Sequence, residues 1–191
     1  MSTTQPIRNK NQIRELAEYY LKRGKIRNHL LIIISVHTAL RISDILRLKW
    51  GDVYDFEHQS IRENITIVEK KTGKPKTILL NKAIKAALTL CLPFVQKDFF
   101  LIKSHKGENQ AISRIQAYRI ISEAAKALCF GYKVSCHSLR KTFGYLAWKN
   151  GINPVIIMEI YNHSNFAVTR RYLGVTQEDK DEAYIKLANL I

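Results

Sequence analysis

"QSIRENITIVEKKTGKPKTILLN", Gln59–Asn81, is where the periodicity of this chain changes. It alternates in places and is rich in Ile, Thr and Val, residues that suit a pleated, half-buried surface. It reads as two or three short strands with a turn at Thr72-Gly73. On either side the spacing is helical. "NQIRELAEYYLKRG" (11–24) is an amphipathic helix with Asn9 or Asn11 as its N-cap and Gly24 as its stop. "IRNHLLIIISVHTAL" (26–40) reads as a buried helix, and "RISDILRLKW" (41–50) carries Ile42, Ile45, Leu46 and Leu48 at helical spacing. After Asn81 a helix runs to Pro93. Ser113 caps another, "RIQAYRIISEAAKALC" (114–129), after a polar loop at 104–113. "CHSLRKTFGYLAW" (136–148), "GINPVIIMEIY" (151–161), a short helix within 162–176 and an amphipathic tail, 177–191, complete the chain. The strands are local to one stretch, with no βαβ alternation, so the expected fold is α+β: mostly helical, around a single small antiparallel sheet.

The chain has 191 residues, enough for one domain with a real core; residues 1–10 are polar and expected to be flexible, and 11–191 form the domain. Lys and Arg number 31 against 16 for Asp and Glu, a net charge of +15. That excess points to a polyanionic partner, nucleic acid first, with a solvated basic surface or a membrane surface as alternatives. Cys91, Cys129 and Cys136 include no CxxC pair, and with His137 they match no common zinc spacing, so neither a disulfide framework nor a metal site is expected. "LLIIISV" (30–36) is too short to span a bilayer, and the N-terminus has no apolar signal region. The composition suits a reducing, intracellular compartment.

"CHSLRKTFGYLAW" raises a sharper question. Leu139, Phe143 and Leu146 fall on one side of the helix, with His137 and Arg140 opposite, in its first turn. A helix N-terminus already favours an anion, through its dipole and its free N–H groups, and His plus Arg add donors there. Arg41, Lys71, His163 and Tyr172 are further side chains suited to a phosphate. Singly, each has an ordinary reading: a surface arginine, a solvated turn lysine, a loop histidine, a packed aromatic.

Together, "TALRISD", "KTGKPKTILL", "HSLRKTF" and "YNHSNFAVTRRYLGV" resemble the tyrosine recombinases, or phage integrases. That family carries an arginine in a TGLRxxE-like box, a β-hairpin lysine, HxLR followed by H or K and T, then LGH, and a nucleophilic RY nine residues after that histidine. Order and spacing match across 41–172. Three residues depart, Ala39 in place of the glycine of TGLR and Tyr161-Asn162 in place of Leu-Gly before His163, while Asp44 stands where Glu or Asp is common. These bear on loop geometry and remove none of the catalytic side chains.

The resemblance implies the DNA breaking-rejoining fold and a site-specific DNA recombinase that works through a 3′-phosphotyrosyl intermediate without metal, ATP or other cofactor. Tyr172 would be the nucleophile and Lys71 the general acid. Arg41 and Arg140 would clamp the phosphate, His137 would add a donor, and His163 would assist. The residue types fit: a phenol near pKa ~10 needs cations or a base to become a nucleophile, and two guanidinium forks suit phosphate oxygens. The helix from Ser113 would enter the major groove, offering Arg114, Gln116 and Arg119, with Lys141 and Lys106, and also Lys103 and His105, near the backbone. The partner would be double-stranded DNA, bound as a homotetramer on paired sites and as a monomer or weak oligomer without DNA, in the cytoplasm. The tail, 178–191, would dock on a neighbouring protomer. No separate core-binding domain is expected within the chain, which is either a catalytic fragment or a short form similar to the fimbrial phase-switch invertases. A non-catalytic DNA-binding relative and a type IB topoisomerase-like relaxer remain the alternatives.

Overall fold

The computed structural model describes residues 4–188. In order come α1 (Lys10–Leu21), α2 (Ile26–His37), α3 (Ile42–Ile45), α4 (Trp50–Val53), β1 (Tyr54–Asp55), β2 (Ser60–Ile61), β3 (Asn64–Val68), β4 (Pro75–Leu79) and α5 (Lys82–Thr89). A 3-10 turn at Leu92–Phe94 leads to α6 (Arg114–Ala127), α7 (Cys136–Lys149), α8 (Pro154–Ile160), α9 (Phe166–Leu173) and α10 (Gln177–Ala188). Local chemistry sets the starts. Asn9, Asn81, Ser113, Ser135, Asn153 and Asn165 each cap the helix that follows with a side-chain oxygen.

α2 is apolar on every side and is the central helix: Leu30, Leu31, Ile32, Ile34 and Val36 are buried in it, with α1, α5 and α7 packed around. Tyr20 of α1 ties the layer to α6, its hydroxyl donating to the Ile120 carbonyl at 2.8 Å. A second, smaller core lies under the C-terminal third. Ala39, Ile157, Tyr161 and Leu173 are buried there, with Phe143, Ala147, Trp148 and Tyr172 packed against them.

Three expectations are corrected. The single sheet is two separate antiparallel pairs, β1–β2 and β3–β4. In the longer pair Asn64 faces Leu79 and Val68 faces Pro75, so the turn falls at Lys70–Lys74 as expected. β1 lies before the quoted stretch, where Asp55 accepts the Glu57 and His58 N–H groups and folds the chain back on itself. Secondly, 41–50 is not one helix. Lys49 bridges to Phe100, Leu101 N–H donates to the Leu48 carbonyl, and Trp50 N–H donates to the Phe99 carbonyl, so pairing with a distant segment takes the backbone groups a longer helix would use. Thirdly, residues 4–9 are held down. Ile7 is fully buried and its N–H donates to Thr142 Oγ1 at 2.9 Å, because an apolar side chain in a polar stretch finds the groove beside α7.

Candidate active site

A cavity of about 1010 Å³ opens between α3, the β3–β4 turn and the first turns of α6 and α7, with α9 at its side. Arg41, Lys70, Lys71, Arg114, Tyr118, His137, Arg140 and Tyr172 line it. The cations reach it by different routes. Arg41 sits at the N-cap of α3, just after Ala39, whose φ of 55° is in the left-handed region. Glycine would take that conformation without strain, which accounts for the usual TGLR residue; alanine takes it at a cost of about 1–2 kcal/mol. Lys71 projects from a turn closed by Glu69 N–H to the Lys74 carbonyl and Gly73 N–H to the Glu69 carbonyl, at 3.0 and 2.9 Å.

Two buried carboxylates anchor that turn. Asp44 accepts the Lys70 N–H at 2.9 Å. Glu69 lies 2.9 Å from Arg41 Nη1 and accepts the Thr72 hydroxyl at 2.8 Å. The Arg41 contact is an ion pair without hydrogen-bond alignment, and Glu69 Oε1 and Asn162 Nδ2 are buried without partners. Burial alone would raise the Glu69 carboxyl; the Thr72 hydrogen bond, then Asn162 and Arg41, offset this and hold it below its ordinary value.

Arg140 corrects the reading of α7. It is only 2% exposed, so it does not lie on an open face opposite the apolar one. Ser138, Leu139, Thr142 and Gly144 are buried as well, because α7 is packed on both sides. Arg140 Nη1 donates to the Ala39 carbonyl and Nη2 to the Tyr161 carbonyl, while Nε has no partner. Its guanidinium lies 4.6 Å from the centre of the Tyr161 ring and 5.7 Å from that of Tyr172. Behind it, the buried Lys76 ammonium donates to the Thr38 carbonyl, and burial, then repulsion by Arg140, pushes its pKa down to about 8.

His163 does not line the cavity; it stands behind Tyr172, ring centres 4.8 Å apart, and stacks on Tyr161 at 4.9 Å and 12°. Its Nδ1 bonds Thr169 Oγ1 at 3.0 Å. His137 meets the Tyr172 ring edge-on at 5.2 Å. Burial and then the surrounding cations push both histidines down to about 4: Lys141, Arg140, Arg41 and Lys71 act on His137, and Arg140, Arg41 and Lys71 on His163. Both are neutral near pH 7. Asn162, at φ 54°, supplies the left-handed turn before His163, so asparagine replaces glycine at low cost.

Among the other expected residues, Arg114 lines the cavity, and Arg119 and Lys106 are exposed. Gln116 lines a different cleft, with Tyr20 and Phe99, as do Lys103 and His105. Lys141 is turned to the N-terminal segment, where its ammonium donates to the Thr4 carbonyl at 2.7 Å. Glu69, Tyr161 and Lys76 were not singled out by motif reading as part of the site. One signal was present for Glu69, the lone acid in the hairpin stretch from Ile65 to Leu80.

Residues 8–179 match the phage integrase family. The chain belongs to that family. This integrase-family chain is 36% identical over 184 residues to the probable integrase/recombinase YoeC of Bacillus subtilis (strain 168), a match covering 96% of this chain and 97% of YoeC. It is 28% identical to the tyrosine recombinase XerA of Pyrococcus furiosus, covering 94% of this chain but 60% of XerA. The fold is that of the XerA recombinase crystal structure (TM-score 0.76, 22% identity, 96% of this chain and 66% of that one). It is equally that of XerH bound to a palindromic difH substrate in a post-cleavage complex (TM-score 0.73, 21% identity, 96% and 53%).

Proposed function

We propose that this tyrosine recombinase cuts and rejoins double-stranded DNA through Tyr172, with the scissile phosphate seated in the Arg41–Lys71–His137–Arg140 cavity. One observation carries the reading. Cations from four distant segments, at Arg41, Lys71, Arg114 and Arg140, line the same cavity as the hydroxyl-bearing ring of Tyr172. Tyr172 Oη attacks phosphorus, the bond to the 5′ oxygen breaks, and a 3′-phosphotyrosine forms. A neutral histidine beside Tyr172, His163 or His137, can accept the phenolic proton; Lys71 gives a proton to the leaving 5′ oxygen. Arg41, Arg140 and His137 hold the non-bridging oxygens as charge builds there; losing one such donor costs on the order of 10²–10³ in rate. One phosphodiester is exchanged for another, so the step is close to isoenergetic and draws on no ATP.

Arg119 on α6 and Lys106 grip the duplex outside the cavity, and Arg114 grips it from the cavity wall. On paired sites four copies assemble, while the free protein is a monomer or weak oligomer. α10 supports such docking, since none of its described residues is buried and it exposes Tyr184, Ile185 and Leu187. The setting is the bacterial cytoplasm, where the DNA lies; among the described residues no helix is long and apolar enough to cross a membrane.

The test is a nicked suicide duplex, its sequence selected by the protein from a random pool. A denaturation-resistant protein–DNA adduct is expected, lost in Tyr172→Phe while binding persists. Binding without any adduct leaves a DNA-binding relative without catalysis, and an adduct that survives Tyr172→Phe moves the nucleophile elsewhere.

A further inference from the structure

We propose that Tyr161 is a positioning residue of this site: its buried ring fixes Arg140, His163 and Tyr172 relative to one another, and Gly144 is glycine to make room for it. Tyr161 is fully buried, yet three groups of the site touch its ring. The Arg140 guanidinium is 4.6 Å from the ring centre, the His163 imidazole is stacked at 4.9 Å, and the Tyr172 ring is tilted against it at 4.8 Å. Both polar ends of the residue also reach Arg140. The Tyr161 hydroxyl donates to the Arg140 carbonyl at 2.6 Å, and the Tyr161 carbonyl accepts from Arg140 Nη2 at 3.4 Å. A leucine at this position would supply volume but no flat face for a guanidinium and an imidazole, and no hydroxyl to pin α7.

Gly144 provides independent support. It lies inside α7, where glycine costs about 1 kcal/mol relative to alanine. A Cβ there would stand 2.7 Å from Tyr161 Oη, 3.0 Å from Cε2 and 3.2 Å from Cζ. The helix tolerates a poor helix former so that the tyrosine hydroxyl can reach the Arg140 carbonyl. Tyr161 touches no part of the substrate; it acts through the residues that do.

This inference rests on the recombinase reading, so its test has one arm without DNA. In the free protein, His163 is titrated by NMR in wild type, Tyr161→Phe and Tyr161→Leu. Arg140, Arg41 and Lys71 hold its pKa down, Glu69 raises it, and Tyr172 and Thr169 complete its surroundings. Tyr161→Leu removes the stacked face and opens the imidazole to water, so His163 should titrate at least ten-fold more easily, moving from about 4 towards its ordinary value. Tyr161→Phe keeps the ring and should titrate like wild type. In the second arm, adduct formation on prebound nicked DNA should fall on the order of 10²-fold in Tyr161→Leu with DNA affinity kept, as for a misplacement of about 1 Å, and Tyr161→Phe should recover most of that loss. Gly144→Ala should reproduce the Tyr161→Leu defect by pushing the ring away, and Gly144→Ala/Tyr161→Phe should relieve it; this pair decides the matter if Tyr161→Leu does not fold. A Tyr161→Leu protein whose His163 titrates like wild type, or a Gly144→Ala protein with wild-type titration, overturns the proposal. If wild type binds DNA but forms no adduct, the recombinase reading fails and the titration alone decides the role of Tyr161.

Discussion

Glu69→Gln removes the charge that faces Arg41 while keeping the side-chain volume. Glu69 is wholly buried, whereas the Arg41 side chain keeps 20% of its surface exposed. Breaking a buried ion pair costs about 3–5 kcal/mol when the remaining charge is sealed in. Here the remaining charge opens onto the cavity, and the pair is unaligned with Glu69 Oε1 unpartnered, so the lower end applies: about 3 kcal/mol, including a weakened Thr72 bond. For a chain of this size that is a fall in Tm of about 6–12 °C. The carboxyl is held below its ordinary value, so the difference from wild type is fully present above about pH 4.5 and is lost as pH falls through the folded pKa. Urea denaturation of both proteins from pH 8 down to about pH 2 follows the difference through that loss. A difference under about 0.5 kcal/mol at pH 7, or one that persists unchanged into acid, would refute the view that this pair braces Arg41 against the Lys71 turn.

Three further outcomes are expected. Asn162→Gly should be more stable than Asn162→Ala by about 1 kcal/mol in urea, because position 162 holds φ 54°; equal stabilities would remove the left-handed explanation for Asn in the His163 loop. His137 and His163 are both pushed down to about 4, so the unfolded chain binds more protons than the folded one between roughly pH 6.5 and 4; stability should decline as pH falls through that window and be insensitive to them above it, and a His137→Gln/His163→Gln protein should show a flatter midpoint profile. Deleting 178–191 should reduce recombination between paired sites more than binding to a single site, and equal losses in both assays would count against α10 as a docking element.

Much of the helical framework was legible because its causes are local. The Asn and Ser caps, the mostly apolar 30–36 run and the Pro154 start lie within a few residues of what they control. The β3–β4 hairpin was legible for the same reason. The single helix expected at 41–50 failed because Leu48 and Trp50 pair with Phe99 and Leu101, and nothing near them in the chain signals that pairing. Arg41, Lys71, His137, Arg140, His163 and Tyr172 are picked out by order and spacing, and all of them but His163 line the one cavity. Their supports were harder to pick out: Glu69 is marked only as the lone acid of a basic hairpin, and a Tyr in place of Leu carries no local mark of burial.

Sequence alone supplied the expected residue set, since side-chain chemistry and its order along the chain do not depend on how the chain folds. Tertiary structure decided how each residue is used. Arg140 is held by the Ala39 and Tyr161 carbonyls at the cavity wall rather than presented on an open helix face, and His163 stands behind Tyr172 rather than in the cavity. Lys141 is held by the N-terminal segment. In each case the deciding partner lies far away in sequence or on another element, so burial and hydrogen bonding, which set the charge, reach and freedom of each group, became readable only once the second core brought α7, α8 and α9 together.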